Sequence, residues 1–176
     1  MHKRFISTLA VLLAMLLSVF SSGGKSFAEQ TAKSAVISMP AGKTISATVT
    51  TPLNSKYLSV GQTVTAVITD DLYYGGKLIL PADSVVMGSV INVTPASSTQ
   101  IGELVLRFTN IVTPYGIQVP VSAIVNTGDK RGKLTGAYYT QEEQAESNVV
   151  IPIAETLDLL LLQPITVNPE LYNSNY

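Results

Sequence analysis

Hydrophobic and polar residues alternate with a period of two along most of this chain. In Thr44 to Thr50, Ile45, Ala47 and Val49 share one face, and Thr44, Ser46, Thr48 and Thr50 share the other. That is the signature of a half-buried strand. Val64, Ala66 and Ile68 repeat it. Leu104, Leu106 and Phe108 alternate with Glu103, Val105, Arg107 and Thr109, and Ile117, Val119, Val121, Ala123 and Val125 follow with the same period. Pro120 has no N–H to give a ladder, so it makes that run an edge strand or puts a bulge in it. Ser84 to Val93 reads as the central strand, with Val85, Met87, Ile91 and Val93 on one face and Gly88 as a bulge or tight bend. Leu157 to Leu162 is apolar except for Asp158, which predicts a strand covered on both faces.

The punctuation between the runs repeats. Leu80-Pro81-Ala82-Asp83-Ser84 leads into a β-rich run, as Met39-Pro40-Ala41-Gly42-Lys43-Thr44 does earlier and Ile151-Pro152-Ile153-Ala154-Glu155-Thr156 does later. Proline pre-sets φ for a turn, and the β-branched run after it suits a pleated surface. Asp70 to Ile79 reads as a hairpin around Gly75-Gly76, and Thr113-Pro114-Tyr115-Gly116 as a turn. The prediction is an all-β fold, a single small β-barrel of mostly antiparallel strands with internal pseudo-repeats, over residues 44–167. Residues 29–43 are expected as a flexible lead-in and 168–176 as a loose tail. Lys130 to Ser147 is expected outside the barrel as an exposed loop, because it has no apolar stripe.

The first 28 residues have a different pattern. Met1 to Arg4 is basic, Phe5 to Phe20 is apolar but for Ser7, Thr8 and Ser18, and Ser26-Phe27-Ala28 fits a small-x-small cleavage site. This predicts a signal peptide over residues 1–28, cut between Ala28 and Glu29. The competing reading is an uncleaved anchor. The short apolar core and the polar Ser21 to Lys25 that follow weigh against it. Export places the protein in the periplasm, on the envelope or outside the cell. After cleavage eight bases face twelve acids, a net charge of −4 with no basic face, which argues against a nucleic-acid partner.

The chain has no Cys and no Trp, and its one His is His2. The mature sequence therefore offers no disulfide, no Ser-His-Asp or Cys-His machinery and no His or Cys zinc ligands. No catalytic, metal or cofactor residue is assigned, and no cofactor is expected. Carboxylate, Lys, Tyr and Ser chemistry remain. Asp70, Asp71, Asp83 and Glu103 are the spare acids. Asp70 and Asp71 are neighbours, which on a strand point to opposite faces. Tyr73 and Tyr74 read as rim packing, with ligand stacking as the alternative.

The order of these phrases resembles the TrbI-like β-barrel domain of conjugation and type IV secretion outer-ring subunits, as a small free-standing secreted relative. The likeness runs from about Ile45 to Val167. It rests on Ile45 to Ser55, on Ala66-Val67-Ile68-Thr69-Asp70-Asp71-Leu72-Tyr73, on Leu78 to Gly88, on Leu106 to Gly116, and on the closing pair Ile151 to Val167. Asp83 stands where that family has Gly, and Tyr115 where it has Asp. The family's secretion members carry a long pore-lining helical hairpin late in the domain. Here the matching interval, Lys130 to Ser147, is short and polar, so the resemblance implies the barrel without the pore. It implies a non-enzymatic docking or assembly module of the cell envelope. The partners would be other envelope proteins, with a homo-oligomeric ring of the chain itself as one arrangement. The reading from another class is a carbohydrate- or peptidoglycan-binding module, or a glycoside hydrolase using two of the spare acids about 5–9.5 Å apart. The absence of Trp weakens sugar stacking.

Overall fold

The alternating runs become strands that follow one another around a closed ring. The computed structural model describes residues 36–128, 131–136 and 147–173. Six strands make the ring: β2 (Thr44–Val49), β4 (Thr63–Val67), β7 (Val85–Thr94), β8 (Glu103–Val112), β9 (Gln118–Val125) and β12 (Thr156–Leu161). Each pairs antiparallel with the next in sequence order, and β12 closes the ring by pairing with β2. A further strand, β10 (Lys133–Thr135), adds to the start of β8. Closure leaves the six strands without a free sheet edge along their paired lengths.

Three two-stranded ladders stand apart from the ring. They are β1 (Ile37–Met39) with β13 (Ile165–Val167), β5 (Leu72–Tyr74) with β6 (Lys77–Leu80), and β3 (Leu53–Asn54) with β11 (Val150–Ile151). The repeated proline phrase connects these ladders to the barrel: β1 to β2, β6 to β7, and β11 to β12. In all three copies the second residue after proline is left-handed, with φ of 82° at Gly42, 62° at Asp83 and 67° at Ala154. At the middle corner the Ser84 hydroxyl donates to the Pro81 carbonyl over 2.6 Å, and the Asp83 N–H donates to the Ile68 carbonyl. The pseudo-repeat is thus a physical repeat, a corner that turns the chain from a ladder into the ring.

The core is the inside of the ring. Ile45, Ala47 and Val49, then Val64, Ala66 and Ile68, then Leu104, Leu106 and Phe108 are buried, as their alternation predicts. Fully burying a side chain such as Phe108 is worth roughly 1.5–3 kcal/mol. Phe108 sits opposite Gly88, where a Cβ would lie 2.5 Å from the Arg107 carbonyl oxygen and 2.6 Å from Phe108 Cδ1. Pro120 is explained by a bulge: the β8–β9 register shifts between Phe108 and Asn110, where Asn110 pairs with Pro120. The strand is not at an edge, since β9 lies between β8 and β12.

Five expectations need correction. The inward face of β7 is Val86, Gly88 and Val90, not Val85, Met87 and Ile91. Ile91 has no partner in β8, and this bulge flips the parity so that Val93 alone of the expected set packs against the core. β12 is buried on one face only. Leu157, Leu159 and Leu161 point in, while Leu160 is half-buried and Leu162 exposed. Its outer face carries cross-strand hydrogen bonds instead: the Ser46 hydroxyl donates to Asp158 Oδ1 at 2.7 Å, and Thr48 and Thr156 hydroxyls meet at 3.2 Å. Within the expected lead-in, Ile37–Met39 is strand β1, which buries Met39 and pairs with β13. The expected loose tail includes a helical turn, α1 (Glu170–Asn173). Tyr172 is buried there; its hydroxyl donates to the Ile79 carbonyl at 2.7 Å and its ring lies 6.0 Å from that of Tyr115. Burial raises the Tyr172 pKa above the usual tyrosine value. In the expected exposed loop, Lys133–Thr135 is strand β10, and residues 137–146 lie outside the described residues.

Candidate functional site

The spare acids do not form one constellation. Asp71 is a structural tie: Oδ1 accepts the Ala82 N–H at 2.8 Å and Oδ2 accepts the Tyr73 hydroxyl at 3.3 Å. It fastens the β5–β6 hairpin to the middle proline corner. Asp70 Oδ2 accepts the Thr69 hydroxyl at 3.2 Å. Asp70 and Asp71 share a small open crevice with Thr44 and Ser46. Asp83 is exposed at the corner. Glu103 is elsewhere, ion-paired to Lys133 at 2.7 Å. It faces Thr94 at the far end of β7, whereas Asp83 precedes the near end at Val85. Nine steps of strand put these ends roughly 30 Å apart, well beyond the ~5–9.5 Å of a glycosidase pair. Tyr74 packs against the core, and Tyr73 is exposed with its hydroxyl on Asp71. Among the described residues, no group of three His, Asp or Glu is placed to hold a metal ion. Ala28 and Glu29 lie outside the described residues.

At the Glu103 end, a buried polar node fastens three loops together. The Ser55 hydroxyl donates to Asn148 Oδ1 at 3.1 Å and accepts the Val149 N–H at 3.0 Å. Asn148 Oδ1 also accepts the Ala96 N–H at 2.9 Å. Gly102 donates to the Ser147 carbonyl, and Gly136 donates to the Gly102 carbonyl. A Cβ at Gly102 would reach 2.8 Å from Ser55 Oγ, so only glycine lets these strands meet. The node brings Gly136 and Ser147 side by side. Its members are small polar residues in unrelated loops, and no periodic pattern singles them out.

The node borders an apolar depression on the surface. Leaving β3, Asn54 organises a tight turn: its Oδ1 accepts the Lys56 N–H at 2.9 Å, and its carbonyl accepts the N–H groups of Tyr57 and Leu58. Gln62 closes the next turn by accepting the Ser59 N–H at 3.1 Å. Gly61 and Gln62 are then tied to Val90 of β7. Between this double turn and the β3–β11 ladder lies a groove of about 360 Å³, lined by Pro52, Leu53, Asn54, Tyr57, Leu58, Gln62 and Val150. Tyr57 is 75% exposed and Val150 61%, and the neighbouring Val60 and Ile153 are also exposed. Apolar side chains of this size, left together in water, mark interaction sites. The groove offers apolar contact and carries no acid or base among its lining residues. Of these residues the sequence analysis covers Pro52, Leu53 and Asn54, within the Ile45 to Ser55 phrase. Tyr57 and Val60, in a short segment between two strands, were the available signal.

No protein-family model matches this sequence, and no curated protein matches it. Its structure is similar to that of ComB10 of the Com type IV secretion system of Helicobacter pylori, with a TM-score of 0.50 and 18% sequence identity. The match covers 72% of this chain and 88% of that one. The two proteins share a β-barrel fold.

Proposed function

We propose that this chain is a non-enzymatic docking and assembly module of the cell envelope, a free-standing TrbI-like barrel serving a conjugation or type IV secretion-like complex. The observation that carries this reading is the shared barrel, which spans most of a protein described as part of a type IV secretion system. Two features support it. The acids at hand serve the fold, as Asp71 and Glu103 illustrate. The apolar groove beside the β3–β11 ladder is a surface suited to another protein. Among the described residues, no helix is long and apolar enough to cross a membrane. The partners are envelope proteins, and a ring of identical chains is one form the assembly can take. Export by the N-terminal segment would deliver the chain to that compartment.

The test is native sizing of gently extracted envelopes from producing cells, with and without the gene. The chain should run in an assembly larger than a monomer, and deleting it should shift the other members to smaller species. Recovery of the chain only as a soluble monomer, with the envelope assemblies unchanged, refutes the proposal. Peptidoglycan cleavage by the purified protein that disappears in Asp70→Asn or Asp71→Asn would favour the hydrolase instead.

A further inference from the structure

Resting on the docking role just proposed, we infer that the groove between the β3–β11 ladder and the turn at residues 56–62 binds an extended peptide in which an apolar side chain lies next to a carboxylate. The first argument is the ladder. It has only two strands among the described residues, and Val150 stands exposed on it beside the groove. An extended segment there could add main-chain hydrogen bonds to the apolar contact.

The second argument is preorganisation. Tyr57 rises from a turn held by three hydrogen bonds to Asn54, and Leu53 beneath it is buried in the core. Binding therefore orders few side chains, and little of the contact energy is lost to entropy.

The third argument is charge. The groove lining carries no charge, but Lys56 stands on its rim with its ammonium 5.9 Å from the centre of the Tyr57 ring. Among the described residues Lys56 has no ion pair. A carboxylate beside an inserted apolar side chain would meet this cation next to the Tyr57 ring.

The experiment is selection of a displayed library of random nonapeptides on the purified, folded chain, repeated on Lys56→Glu, Tyr57→Ala and Val150→Asp. All three positions are on the surface, and matching melting curves confirm that the variants fold. Wild type should enrich peptides with Asp or Glu within two residues of a large apolar side chain. Lys56→Glu should switch the preference to Lys or Arg. Tyr57→Ala and Val150→Asp should each weaken the selected peptides by about tenfold or more, a loss of some 1.4 kcal/mol. The inference is overturned if no consensus emerges, if the consensus peptides bind Tyr57→Ala as well as wild type, or if Lys56→Glu keeps the acidic preference. A wild-type dimer that Val150→Asp dissociates in light scattering also overturns it, since a second copy is then the occupant. Any of these failures alongside a positive native-sizing result leaves the assembly role standing and moves docking to another face.

Discussion

Replacing Gly88 by Ala tests how tightly the barrel interior is packed. Gly88 is not among the residues with positive φ, so alanine suits its backbone and only the added methyl matters. That methyl would sit 2.5 Å from the Arg107 carbonyl oxygen and 2.6 Å from Phe108 Cδ1, about 1 Å inside ordinary contact. The first neighbour is backbone of β8, which is paired on both sides, and the second is a fully buried ring. Neither can withdraw freely. Overpacking of this kind costs about 1–3 kcal/mol. The stiffer unfolded chain of alanine offsets roughly 0.4–1 kcal/mol. A net loss of about 1–2 kcal/mol is expected, or a melting temperature lower by roughly 3–8 °C for a domain of this size. Urea titration followed by far-ultraviolet circular dichroism measures it, with an unchanged m-value showing that the folded state stays compact. Combining Gly88→Ala with Phe108→Leu should cost about 0.5–1 kcal/mol less than the two separate losses, because the smaller side chain removes one of the two clashes. If Gly88→Ala is as stable as wild type, or if the two losses simply add, the close approach of β7 and β8 is not as described.

At the proline corners, Ala154→Gly should stabilise by about 0.5–1 kcal/mol, since a left-handed alanine is costly; Asp83→Gly should gain less, because Asp tolerates that region better. A lower urea midpoint for Ala154→Gly would count against the corner geometry. Leu159→Asp places a charge inside the barrel and should cost at least about 3 kcal/mol, whereas Leu160→Asp on the outer face should cost under about 1.5 kcal/mol. Equal melting curves would contradict the one-sided burial of β12. Tyr172→Phe should lose about 1–2 kcal/mol by leaving the Ile79 carbonyl without its donor. Because burial raises the Tyr172 pKa, the unfolded chain releases this proton first as pH rises past about 10, so wild-type stability falls there. Denaturant titrations from neutral to strongly alkaline pH should show a shallower fall in Tyr172→Phe; an identical fall refutes the assignment.

The ring was legible in the sequence where one parity was apolar and the other polar, as in Ile45-Ser46-Ala47-Thr48-Val49 and Leu104 to Phe108. β7 was not, because Val85-Val86-Met87 and Val90-Ile91 are apolar at both parities. There one step of register reverses every side chain, and the bulge at Ile91 then reverses them again. The corners were recognisable from proline, yet their shared left-handed residue was hidden behind three different side chains, Gly42, Asp83 and Ala154. β1, β10 and α1 are each four residues or fewer, too short for a periodic signal. They are held by pairing with, or packing on, distant segments. The acids were visible as residue types, but only the fold reveals that Asp71 serves the Ala82 N–H and that Glu103 stands at the opposite end of β7. The groove depends on Tyr57 and Val150 meeting across 93 positions of chain, which no local pattern encodes.

The order of strands around the ring also governs how the ring can be made. Every neighbour from β2 to β9 is reached by a connection to the next barrel strand, but the seam is closed by β12, inserted between the first and fifth ring strands. Its contacts with β2 span 108 and 112 residues at Thr48–Thr156 and Ser46–Asp158. Until Thr156 to Leu161 is present, β2 and β9 have open edges and Leu157, Leu159 and Leu161 are missing from the interior. A chain interrupted shortly before Thr156 is thus a curved five-stranded sheet with two sticky sides, prone to pair with its own kind. The last eighth of the polypeptide, from Thr156 onward, acts as a latch. Closing it across so many residues is entropically costly, and C-terminal loss is far more damaging than its share of the sequence suggests.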